Sequence, residues 1–189
     1  DAASAYPEAL GLERFERTLV MVSSELVVVY DRLAAAEPRT FSWLLHHHGE
    51  TDQDGSARMV RVADARLRIH PLMPEALSVK DETYRPQFVH SRRDLTPKNA
   101  DIQMVQFDTE PVREATFVVP LVIGSAAAPP PVPESIPCVN GLAFVCGKTV
   151  VAFRTGSGVL EVALPKGRSI AGDASIIVAR DIDTQPSVI

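Results

Sequence analysis

Hydrophobic and polar residues alternate along much of this chain with a period of two. Ala65, Leu67 and Ile69 interleave with Arg66, Arg68 and His70, which predicts a half-buried strand carrying a basic outer face. Residues 27–30 (VVVY), 117–119 with 121–123, 142–146 and 149–153 are short β-branched or aromatic runs, and such runs suit strands covered on both faces. Turn residues punctuate them at Ser23-Ser24, Asp54-Gly55, Gly147-Lys148, the Gly156-Ser157-Gly158 group and Gly172-Asp173. No stretch of about 12 residues shows an apolar helical stripe, apart from a short turn predicted near residues 7–12. The pattern predicts an all-β fold built as a two-layer antiparallel β-sandwich.

Prolines refine that expectation. Pro120 interrupts a strong strand and removes a ladder donor, which predicts an edge position or a bulge. Residues 126–137 (AAAPPPVPESIP) hold five prolines and read as a surface loop joining two groups of strands. With 189 residues, 46% of them hydrophobic, the chain can bury one sizeable core. The expectation is a single domain over residues 1–189, with residues 1–11 as a leader or linker.

A net charge of −5 and a pI near 5.5 argue against a general nucleic-acid or membrane-surface binder, which needs a basic face. No apolar run approaches the roughly 18 residues that span a bilayer. Cys138 and Cys146 are too far apart for a CxxC pattern. Cys146, inside LAFVC, reads as a small buried hydrophobe, and a disulfide between the two is one alternative.

Three clusters carry candidate chemistry. In residues 41–48 a strand would place Phe41, Trp43, Leu45 and His47 on the core face and Ser42, Leu44, His46 and His48 on the other. His46 and His48 would then lie about 6.8 Å apart, a geometry metal sites use. The third ligand would have to be His70, His90, Glu50 or Asp52. The simpler reading is a polar strand end, and no metal or cofactor is expected. The second cluster is the Arg66, Arg68 and His70 row, flanked by Arg58 and Arg61. Its guanidinium groups suit carboxylate and sulfate, unless nearby acids such as Asp64 and Glu82 neutralise them. The third is the long polar loop of residues 80–98, with Tyr84, Phe88 and His90, of which the tyrosine and the histidine are residue types that can move protons. Asp31 and Arg32 read as ending the strand of residues 27–30 and pairing locally. The Gly-rich run at residues 155–159 leads into a strand and reads as a hairpin, not a phosphate cradle.

Four segments in order, residues 15–32 (FERTLVMVSSELVVVYDR), 41–46 (FSWLLH), 65–74 (ARLRIHPLMP) and 117–123 (FVVPLVI), resemble the C-terminal β-sandwich region of heparinase II/III-like polysaccharide lyases. The resemblance covers most of the chain and consists of buried strands. It implies a parent enzyme that cleaves uronate-containing polysaccharide by β-elimination, with its chemistry in an α/α-toroid and in a His-rich segment upstream of this chain. The portion in hand would wall the cleft, pack on the toroid and carry no catalytic residue. Arg66, Arg68, His70, His46, His48, Tyr84 and His90 are the expected contacts to an acidic polysaccharide. The family resemblance also implies a periplasmic or secreted location, and the start at Asp1, with no Met and no basic-then-apolar leader, reads as a processed, trimmed or subcloned end. The alternatives are a freestanding carbohydrate-binding or structural β-sandwich and, more remotely, a metal enzyme built on His46 and His48.

Overall fold

A computed structural model of the chain describes residues 1–84, 102–164, 167–182 and 187–188. These form two compact units, Asp1–Pro130 and Pro131–Ile189, whose boundary falls inside the Pro-rich segment. The described residues contain two 3-10 turns, Ala3–Ala5 and Glu8–Leu10, and otherwise only strands. The second turn matches the one expected near residues 7–12.

The first unit is a two-layer antiparallel β-sandwich. Its strands are β1 (Leu12–Met21), β2 (Leu26–Arg39), β3 (Ser42–His47), β4 (Glu50–Asp54), β5 (Ala57–Val62), β6 (Ala65–Ile69), β7 (Ser78–Tyr84), β8 (Ile102–Asp108) and β9 (Val112–Ser125). One sheet has six strands in the order β1-β2-β9-β6-β5-β4, and the other has three in the order β3-β8-β7. The expected alternation in residues 41–48 is present throughout. Phe41 and Trp43 are buried and Leu45 and His47 half-buried, while Ser42, Leu44, His46 and His48 are exposed. The inward set packs with Val105 and Phe107 of β8 against Val29, Val60, Ile69, Phe117 and Val119 of the larger sheet. An ion pair also crosses between the layers. Buried Arg58 on β5 donates through Nε to Asp81 on β7 at 2.8 Å.

The second unit pairs β10 (Glu134–Ile136), β12 (Gly141–Cys146), β13 (Thr149–Arg154), β16 (Ile176–Arg180) and β17 (Ser187–Val188) in one sheet. A smaller sheet holds β11 (Cys138–Val139), β14 (Leu160–Leu164) and β15 (Arg168–Gly172). Val150, Ala152, Leu160, Val162, Ile177 and Ala179 form the core between them. The β12–β13 hairpin turns at Gly147, whose φ of 58° is the left-handed conformation that glycine adopts without cost. Cys138 and Cys146 are not bridged.

Some expectations change in detail. Pro120 sits on a central strand, not an edge, because β9 pairs with β2 on one side and with β6 on the other. Its carbonyl accepts from His70 N at 3.1 Å, and the reciprocal bond is the one a proline cannot make. Beyond this point β6 has ended, and Leu72 and Met73 both bond to Val118, so the irregularity lies on the neighbouring chain. Asp31 does not end a strand: β2 continues to Arg39, because Asp31 and Arg32 have cross-strand partners in Arg17 and Glu16. The loop expected at residues 80–98 begins later, since Lys80–Tyr84 pairs with β8 and residues 85–98 lie outside the described residues.

Trp43 is 3% exposed and its ring lies 5.9 Å from that of Phe107 at 53°. Its burial is as expected, and no protein group among the described residues accepts from its indole N–H. Trp43→Ala should destabilise the first unit by roughly 3–5 kcal/mol, the usual cost of emptying a large aromatic site. Chemical denaturation measures this, and the native fluorescence should be blue-shifted and poorly quenched by acrylamide.

Candidate functional site

The β4–β5–β6 meander brings two of the expected contacts together. Its register sets Glu50 opposite Arg61 and Arg61 opposite Arg66. Two like charges directly opposite one another repel, so each needs compensation. Arg61 gains it from Asp52 at 2.7 Å and Glu50 at 3.4 Å. Arg66 donates instead to the carbonyls of Ala63 and Ala65, both at 2.9 Å. A surface groove of about 580 Å³ lies between these arginines and His48. Gly49 shapes its wall, since a Cβ there would meet Arg61 O at 2.5 Å.

Arg68 and His70 share the outer face of β6 with Arg66 but lie outside this groove. Arg68 is 8% exposed, paired with Asp54 and donating to Pro130 O, so it serves the fold. His70 is half-buried. His46 is exposed on the outer face of β3. Tyr84 closes β7, and His90 lies outside the described residues. No three His, Cys, Asp or Glu side chains converge among the described residues, so His46 and His48 gain no third ligand there.

A second cavity was not anticipated. A cleft of about 500 Å³ opens between the two sheets where β1 and β2 meet the start of β3. Buried Phe41 and Phe117 floor it, Leu12, Leu33 and Phe15 line it, and Tyr6 and Leu10 of the N-terminal segment form one rim. Register places Arg17 opposite Asp31 and Asp31 opposite Phe117, so a charged pair faces the interlayer space. Arg17 grips the carboxylate with Nε and Nη2, each at 2.7 Å, and its guanidinium lies 5.7 Å from the Phe15 ring. The bidentate bond with Asp31 raises the Arg17 pKa, against the opposing effect of burial. The signal was present in the sequence. Arg17 shares its parity with Phe15 and Leu19, and Asp31 shares its parity with Val29 and Leu33. Opposite charges at inward positions of two consecutive strands identify the pair once the strands are known to be neighbours.

Other titrating groups flank these features. Burial lowers the pKa of His47, whose Nε2 lies 3.2 Å from Thr51 Oγ1. Burial also lowers that of His70, and Arg68 adds to the effect. Burial alone would raise Asp108, but bonds from Lys80, Ser42 and Gln106 outweigh it and hold the carboxyl below its ordinary value.

No protein-family profile and no curated protein matches this chain. Among solved structures it is similar to a heparan sulfate lyase HepC mutant from Pedobacter heparinus, with a TM-score of 0.48 and 13% identity, over 85% of this chain and 24% of that one. The chain thus spans about a quarter of that lyase, and the likeness is distant.

Two predictions follow from the buried charges. Asp31 has a side chain only 2% exposed, whereas Arg17 is 44% exposed. Removing the arginine therefore strands a buried carboxylate, while removing the acid leaves a cation that water can reach. Arg17→Met should cost about 3 kcal/mol in chemical denaturation and Asp31→Asn clearly less. The second concerns pH. His47 and His70 have folded pKa values below the ordinary histidine value, so the unfolded chain binds more protons as pH falls through about 6.5. Their contribution is complete above that value and is lost below it. The thermal midpoint should drop between about pH 7 and pH 5, and the double variant His47→Gln, His70→Gln should show a flatter profile.

Proposed function

We propose that this chain is the β-sandwich portion of a heparinase II/III-like polysaccharide lyase, and that it is noncatalytic by itself. The observation that carries the reading is the convergence of the four family-like segments. Residues 15–32 supply most of β1 and the first half of β2, residues 41–46 supply Phe41 and most of β3, residues 65–74 begin with β6, and residues 117–123 lie in β9. Val29, Phe41, Trp43, Ile69, Phe117 and Val119, drawn from all four, meet in one core. The resemblance therefore follows the framework of a single sandwich, as an inherited domain would.

The parent enzyme would act on a uronate-containing polysaccharide, with its proton-transfer residues in an α/α-toroid that this sandwich supports. The groove of His48, Arg61 and Arg66 offers donors for carboxylate or sulfate. This would be a rim contact, since Arg61 already has acidic partners. The parent would be periplasmic or secreted. The freestanding sugar-binding module is the weaker reading, because Trp43 is buried and supplies no exposed stacking platform.

Incubation of the chain with heparan sulfate, alginate or chondroitin should release no unsaturated uronate, read by absorbance. Retention on an immobilised uronate polymer should be weak and salt-sensitive, and Arg66→Ala or His48→Ala should weaken it a few-fold. Chain-dependent growth of the absorbance would overturn the noncatalytic assignment. Retention unaffected by either substitution would overturn the groove assignment.

A further inference from the structure

We propose that the interlayer cleft is a binding site for a small organic anion with an apolar body, an aryl or alkyl carboxylate, whose charged group docks at Arg39. The inference is independent of the lyase reading, since it concerns a different surface and a ligand of a different class.

The cleft has the size and lining of a small-molecule site. About 500 Å³ falls within the range that such sites occupy, mostly apolar with a few polar groups to orient the ligand. Buried Phe41 and Phe117 supply an aromatic floor, and Leu12 and Leu33 extend it. One ring or a short chain fills that space, and a polymer does not.

The charge balance selects an anion. Two arginines and one carboxylate line the cleft. Arg17 and Asp31 neutralise each other through two hydrogen bonds, so a cationic ligand finds its acidic partner already taken. Arg39 is exposed and makes no ion pair among the described residues. One uncompensated guanidinium therefore stands beside an apolar cavity, and Thr40 adds a hydroxyl next to it. The β2–β9 register breaks between Ala34 and Arg39, and Arg39 lines the cleft from an exposed position.

The walls are already in place. Asp1 Oδ1 accepts from Ala3 N at 2.9 Å and from Phe15 N at 3.0 Å, and Ala2 N donates to Phe15 O at 2.7 Å. Gly11 O accepts from Ala36 N at 2.9 Å. These bonds tie the segment carrying Tyr6 and Leu10 to the sheet, and a preformed wall lowers the ordering cost of binding.

The test is a titration of the isotope-labelled chain with phenylpropionate, followed by heteronuclear NMR. Saturable shifts should be confined to residues around Tyr6–Arg17 and Arg39–Ser42. Arg39→Ala, at an exposed position where folding is not at risk, should weaken binding about tenfold, and Arg39→Lys should weaken it less. Phenylpropionamide, with the same body and no charge, should bind wild type about as weakly as the acid binds Arg39→Ala. Glucuronate, with the same charge on a polar body, should bind far more weakly. The proposal fails if no saturable shift occurs, or if the shifts lie around His48, Arg61 and Arg66. It fails equally if the amide or glucuronate binds as tightly as phenylpropionate.

Discussion

The β2–β9 ladder is the constraint from which the rest of the first unit takes its position. It runs without a break from Leu26 opposite Val122 to Ala34 opposite Glu114. Both strands are interior to the six-stranded sheet, so β1 is placed by β2 and β6 by β9. A slip of one residue would turn every side chain of a strand to the opposite face. Asp31 would then leave Arg17, and a carboxylate whose side chain is only 2% exposed would lose its counter-charge. The Arg17–Asp31 pair is thus best understood as a register lock. Its net contribution to stability is small beside the penalty it imposes on the slipped alternative.

The same logic explains why a chain with so many arginines on two adjacent strands does not present a basic stripe. Arg58 ties β5 to Asp81 in the other layer, Arg68 is held by Asp54, and Arg61 by Asp52 and Glu50. Each pair converts a charge that would repel its neighbours into a cross-strand or interlayer strut. What remains for a ligand is Arg66 with His48 on the outer face and Arg39 at the cleft. A polyanion approaching the outer face meets alternating signs, which favours a weak and salt-sensitive contact over strong capture.

Most of the framework was legible in the sequence. The alternation in residues 41–48 gave the correct burial for every position, and Asp54-Gly55 and Gly147-Lys148 fall at real hairpins. These features are local, and two-residue periodicity and turn chemistry report them directly. The partners of the arginines were not legible in the same way. Arg58 and Asp81 are 23 positions apart, and Arg17 and Asp31 are 14 apart. Such pairs depend on which strands become neighbours and in what register, and no window of sequence carries that. Pro120 shows the same limit. Its missing donor argued for an edge, yet it is tolerated centrally because the adjacent strand has already ended at Ile69.

The location of the cleft has an equally non-local cause. Neighbouring strands lie about 4.8 Å apart, so six strands span about 24 Å from first to last and three span only about 10 Å. The smaller layer cannot cover the inner face of the larger one, and β1 at the edge is left uncovered. Register confirms this. Leu19 and Met21 pair with Val29 and Val27 on the inner face, yet they are 66% and 79% exposed. Moving along β1 from Met21 toward Leu12, the inner face passes from this open margin, through Arg17, to Phe15 and the covered core. The cleft is the line where coverage begins, and a charged pair stands there because that boundary is neither dry nor fully wet. An interlayer site at this edge therefore follows from the mismatch in strand number, and the side chains of Arg17, Asp31 and Arg39 determine only which ligand it suits.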